Sequence, residues 1–166
     1  MALIDGLLQE LEQEAKTTRR VLERVPDGKL TWRPHPKART LGELALHVAT
    51  VPGNVAQLFA SPSPAQVPQF ADPTLASASE LLPALEQSIA RANSALGGMD
   101  DATVSATWRL MQGDREIFAL PRLALLRSIM LNHWYHHRGQ PSVYLRELDV
   151  AIPSIYGPSA DENPFA

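Results

Sequence analysis

Four stretches of this chain repeat apolar side chains at helical spacing, and its prolines collect between and beside them. A chain punctuated in this way buries its apolar faces by packing helices against one another. In the first stretch, residues 3–25, Leu3, Ile4, Leu7, Leu8, Leu11, Ala15, Val21, Leu22 and Val25 keep helical spacing, and charges fill the other faces. Pro26-Asp27-Gly28 stops it. The segment "LTWRPHPKAR" that follows has two closely spaced prolines and reads as a loop or extended connection.

A second helix opens with a capping box, Thr40 as cap and Glu43 three residues on. Its stripe is Leu41, Leu44, Ala45, Val48, Val55 and Phe59, and Pro52-Gly53 predicts a kink or break within it. Residues 61–76, rich in proline and small polar side chains, read as a loop. Ser77 and Glu80 form a second capping box before a third helix that runs to about Leu96, with Leu81, Leu82, Leu85, Ile89 and Ala92 inward. Pro83 is tolerated near its start, and Gly97-Gly98 ends it. Residues 103–119 carry β-branched and aromatic residues on both sides of Gln112-Gly113-Asp114, the pattern of a short hairpin or extended connection. Pro121 then opens a fourth helix that lasts to about Leu148, before a proline-containing tail. The expected fold is all-α: a four-helix bundle with one small β excursion, residues 1–166 forming a single domain.

Composition narrows the function classes. A chain of 166 residues is large enough to bury roughly 70% of its extended surface without staples. It has no cysteine, so disulfides, thiolate ligands and a cysteine nucleophile are all excluded. The net charge of −3 comes with basic residues interleaved among acids, which gives no stripe for nucleic-acid phosphates. No signal-peptide pattern and no membrane-length apolar run are legible, so a cytoplasmic protein without nucleic-acid or membrane partners is expected.

The fourth helix carries "NHWYHHRGQ", three of the chain's five histidines within five residues. His133 and His137 are four apart and continue the line of Leu126, Ile129 and Met130, which aims both imidazoles inward and turns Trp134 and Tyr135 away. His136 lies near the edge of the pair, a structural or supporting residue rather than a ligand. His47 sits at the border of the second helix's buried stripe. Spacing alone leaves two arrangements open: each buried imidazole bonds a carbonyl, or the three share a divalent cation. His35, in "RPHPK", reads as an exposed loop residue.

"LGELALHVA" on the second helix, with "LNHWYHHRGQPSVYLRELDVAIPSIYGPSADE" at the end, resembles the DinB-like superfamily, which includes bacterial thiol-dependent transferases. The likeness spans essentially the whole chain in element order. The family name refers to damage-inducible expression, a stress-response association, and does not imply DNA binding. The resemblance implies a four-helix bundle, usually a homodimer, with a divalent metal held by His47, His133 and His137. Zinc or nickel comes first, with iron, cobalt, copper or manganese also compatible. One departure is Pro141, whose ring conflicts with the carbonyl of His137 and predicts a kink just past that ligand.

Three neutral imidazoles leave a cation its charge and an open position. The resemblance implies that such a cation activates a small-molecule thiol, external because the chain has no cysteine, or water, for attack on an electrophile. The alternative is a metal-binding bundle without turnover, acting as a sensor, a store or a dimeric interaction module. No general base is evident. Gln140 and Tyr144 are the nearest polar residues in sequence, Gln140 as a support for a ligand ring. Tyr156, Asp161 and Glu162 belong to a tail that could fold over the site, the two acids reading first as caps or solvated charges.

Overall fold

The computed structural model describes residues 2–69 and 74–165. The chain is mostly helical with a small sheet. Helix α1 is Leu3–Leu22, α2 Leu41–Ala60, α3 Leu81–Leu96 and α4 Asp101–Ser105. The last helical run has three parts: α5, Arg122–Leu125; a π-helical stretch, Leu126–Asn132; and α6, His133–Glu147. The core lies between α1, α2, α3 and α6 and includes the fully buried Trp108.

Helix α1 ends three residues before its apolar period does. Val25 is still buried, but Pro26 behind it disfavours helical backbone at position 25. Helix α2 opens on the expected box: Glu43 N–H donates to Thr40 Oγ1 at 3.2 Å and Thr40 N–H to Glu43 Oε2 at 2.7 Å.

Of the kink or break expected at Pro52-Gly53, no break occurs; α2 runs on to Ala60. Pro52 has no amide hydrogen for the carbonyl of Val48, and the indole N–H of Trp134 supplies one at 2.8 Å. Gly53 lets α3 approach, its N–H donating to Ser88 Oγ at 2.8 Å. A Cβ at Gly53 would lie 2.7 Å from the Ser88 carbonyl oxygen, so the contact requires glycine.

The segment 61–76, expected to be a loop, contains a two-residue strand, β1, at Ala65–Gln66; residues 70–73 of it lie outside the described residues. β1 pairs in parallel with β2, Thr107–Gln112, which pairs antiparallel with β3, Arg115–Pro121. The hairpin matches expectation, turning at Gly113 with φ of 59°. The turn of helix before it, α4, was not foreseen: Asp100 caps it by accepting from Thr103 N–H at 2.7 Å. β2 contributes Trp108, which packs edge-on against Phe59 and donates to the Ser61 carbonyl at 3.1 Å.

The π stretch changes which residues of α6 face inward. Its i→i+5 bonding takes an extra residue per turn and rotates everything beyond it. The buried line therefore runs Leu126, Met130, Trp134, Arg138, then Pro141 and Leu145. Trp134, expected to turn away, is fully buried, and His133 and His137 lie half-buried on its flank rather than in the core. Helix α6 continues through Pro141 to Glu147.

The tail is clipped back onto the helices. Asp161 pairs with Arg146 and accepts from Ile152 N–H at 2.8 Å; Glu162 pairs with Arg20.

Candidate metal centre

Trp134 and Val48 join α6 to α2, and their sequence neighbours are His133 and His47. The bond that mends α2 at Pro52 thus sets the histidines of two helices opposite each other. Ring centroids are 5.3 Å apart for His47 and His133, and 4.5 Å for each of these with His137. One nitrogen from each ring lies within 4.8 Å of the others, so the triad could hold a metal ion.

The hydrogen bonds show which nitrogens are free. His133 Nδ1 lies 3.3 Å from the carbonyl of Ile129, in the π stretch, and His137 Nδ1 lies 2.8 Å from Gln140 Oε1. Both oxygens only accept, so both Nδ1 atoms carry the proton and both Nε2 atoms keep a lone pair. His47 Nε2 is buried without any partner. Such an atom costs about 1–3 kcal/mol unless something occupies it, and three ring nitrogens within 4.8 Å of one another suit a cation. The residues fit a divalent metal.

Electrostatics keep the rings neutral. His47 is pushed down to about 3, first by burial, then by the charge of Arg39 and by its two partner histidines. Burial also lowers His133 and His137, opposed by the Ile129 carbonyl and the Gln140 oxygen respectively. Arg39 acts in the same direction on all three, so its guanidinium adds positive potential beside the triad.

A stability dependence follows for protein kept metal-free with a chelator. His47 stays neutral in the fold until about pH 3 but protonates near its ordinary 6.5 when unfolded. Between these values the unfolded chain holds the extra proton, so stability is complete above 6.5 and falls as pH drops towards 3. Urea midpoints measured through this window should fall less steeply for His47→Gln than for the parent. Parallel curves would contradict the assignment.

The other expected residues divide. Gln140 supports His137, and His136 is exposed, its Nε2 3.2 Å from Gln140 Nε2. His35 is an exposed loop residue, accepting from Lys37 N–H at 3.1 Å. The Tyr144 hydroxyl donates to the Arg39 carbonyl at 3.3 Å and its ring meets Trp32 edge-on. Tyr156 bonds to Glu14 rather than to the triad, at 2.9 Å, and Asp161 and Glu162 are spent on arginines. Pro141 leaves the triad assembled, since His137 keeps equal 4.5 Å spacing to both partners.

Sequence reasoning missed Arg138. It is 1% exposed, pairs with Glu14 at 2.6 Å, and lies against the rings of Tyr135 and Tyr156 at 5.1 and 5.0 Å. The available signal was Glu14, a carboxylate in line with the inward Leu7, Leu11 and Val21 of α1.

A mostly helical chain with a small sheet and three convergent histidines on two helices defines a class of candidate metal-binding helical proteins. Within it, this chain belongs to the DinB family, whose model matches residues 2–164. It is 27% identical to the Bacillus subtilis (strain 168) protein YrdA, itself uncharacterised, over 96% of this chain and 91% of that one. Its fold is similar to that of a DinB-like protein from Bacillus cereus ATCC 10987, with a TM-score of 0.70 and 25% identity over 92% of this chain and 97% of the other. A second DinB-like structure, YjoA of B. subtilis, superposes with a TM-score of 0.62 at 16% identity, over 87% and 92% of the two chains, a likeness of fold alone. Among the described residues, no helix is long and apolar enough to cross a membrane.

Proposed function

We propose that this chain is a metal-dependent DinB protein in which His47, His133 and His137 hold a divalent cation, zinc or nickel first, for attack by a small-molecule thiol or water on an electrophile. The observation that carries this reading is the convergence of three neutral imidazoles on a point where the buried His47 Nε2 has no partner. When bound, such an ion draws the pKa of water towards 7 or holds a thiol as its thiolate. The chain's own residues do the rest. Three neutral donors add no negative charge, so the site keeps its attraction for an anionic guest, and Arg39 adds to it. The Ile129 carbonyl and Gln140 fix two rings so that the donor atoms are arranged before a guest arrives. The cysteine-free sequence makes a thiol nucleophile an external molecule. The same reading takes α1, α2, α3 and the run from α5 to α6 as the four rods of a bundle, working as a homodimer in the cytoplasm.

The experiment is X-ray absorption on protein loaded with zinc and prepared without nickel affinity, before and after addition of a series of small thiols. A sulfur scatterer entering the zinc shell, with thiol consumed when a generic electrophile is added, is the expected result. Unchanged coordination with every thiol would remove the thiol reading and leave water activation or a non-catalytic metal site.

A further inference from the structure

Gln140 lies one turn beyond His137, and its side-chain amide sits between two imidazoles. Its Oε1 is 2.8 Å from His137 Nδ1 and its Nε2 is 3.2 Å from His136 Nε2. In this orientation His137 must donate from Nδ1, which leaves Nε2 as its free donor atom. The reversed amide would present an N–H to His137 Nδ1 and move the ring proton to Nε2. That proton would point into the triad and abolish the lone pair a cation needs.

His133 reaches the Nδ1-protonated tautomer by a different route, through a backbone carbonyl. A main-chain anchor comes with the helix, whereas the anchor of His137 depends on a single side chain. We infer that Gln140 is a positioning residue that selects the metal-competent tautomer of His137, with His136 holding the far end of its amide. The effect on affinity rests on the metal-centre reading above. The tautomer does not, because it is a property of the metal-free protein as well.

Two measurements on the full chain test this. Imidazole nitrogen NMR at neutral pH, on chelated protein, should show His137 protonated at Nδ1 in the parent. Gln140→Glu should keep that state, because a carboxylate also accepts; Gln140→Leu should lose it to a mixture or to the Nε2 form. Zinc affinity, read by competition with a chromophoric chelator, should fall roughly 10–100-fold in Gln140→Leu and recover most of the way in Gln140→Glu. His136→Ala should lose less than Gln140→Leu, since the Oε1 contact survives. Circular dichroism of Gln140→Leu should match the parent, because the side chain is only partly buried. Gln140→Leu with parental affinity and an intact Nδ1–H signal would overturn the inference. If the parent itself fails to hold zinc, the metal reading falls, and the nitrogen spectra still decide the role of Gln140.

Discussion

Alanine at His47, His133 or His137 should each strip the protein of tightly held divalent metal. From roughly one equivalent per chain in the parent, elemental analysis should find below about a tenth in each variant, because a catalytic-type site has only three protein ligands to lose. His35→Ala is the control that keeps its metal. The fold should survive in all four, since the three histidines are half-buried and stand beside the core line rather than in it. A second readout separates binding from folding. Zinc at one hundred times its Kd should stabilise the parent by about 2.7 kcal/mol and the ligand variants not at all. Without metal, His47→Ala should cost little, because it removes a buried nitrogen that nothing satisfies. A His47→Ala protein that still carries a full equivalent of metal would break the triad assignment.

The histidine triad was legible because the four-residue spacing of His133 and His137 survives any rotation of the helix that carries them. Where that helix turns them was not. The π stretch Leu126–Asn132 has no residue signature, and by taking an extra residue it put Trp134 where α-helical geometry puts His133. The capping boxes at Thr40 and Ser77 were readable because both bonds of each form within four residues of sequence. That α2 stays unbroken at Pro52 was not legible for the opposite reason: the indole that satisfies Val48 comes from 86 residues further on. The strand at Ala65–Gln66 was hidden in the same way, since only its pairing with Leu110 and Met111 makes it one. Local bonds could be read from the chain, and bonds supplied by distant partners could not.

Arg138 shows what a distant partner is worth. Its guanidinium is buried between α1 and the tail, donating to the Glu14 carbonyl at 3.1 Å and Thr18 Oγ1 at 3.2 Å besides its ion pair with Glu14. Tyr156, 68% exposed as a whole, directs its hydroxyl into the same group and donates to Glu14 Oε2 at 2.9 Å. Arg138→Ala leaves the Glu14 carboxylate almost without water or cation, and it opens space between two tyrosine rings. Removing one member of a buried pair costs about 3–5 kcal/mol, and that loss should appear in urea denaturation of chelated protein. Glu14→Leu combined with Arg138→Met should recover most of it, because a buried ion pair replaced by apolar side chains of similar volume is often neutral. If the double variant were as unstable as Arg138→Ala, the damage would lie in the lost bonds to Thr18 and the Glu14 carbonyl, not in a stranded charge. An Arg138→Ala protein within about 1 kcal/mol of the parent, the range of exposed salt bridges, would show that solvent already reaches the pair. Arg138 directly follows His137, so the same variants should be titrated with zinc. A stability loss with unchanged affinity confines Arg138 to holding α1 and the tail against α6, whereas a matched loss of both makes that packing the support of the metal centre.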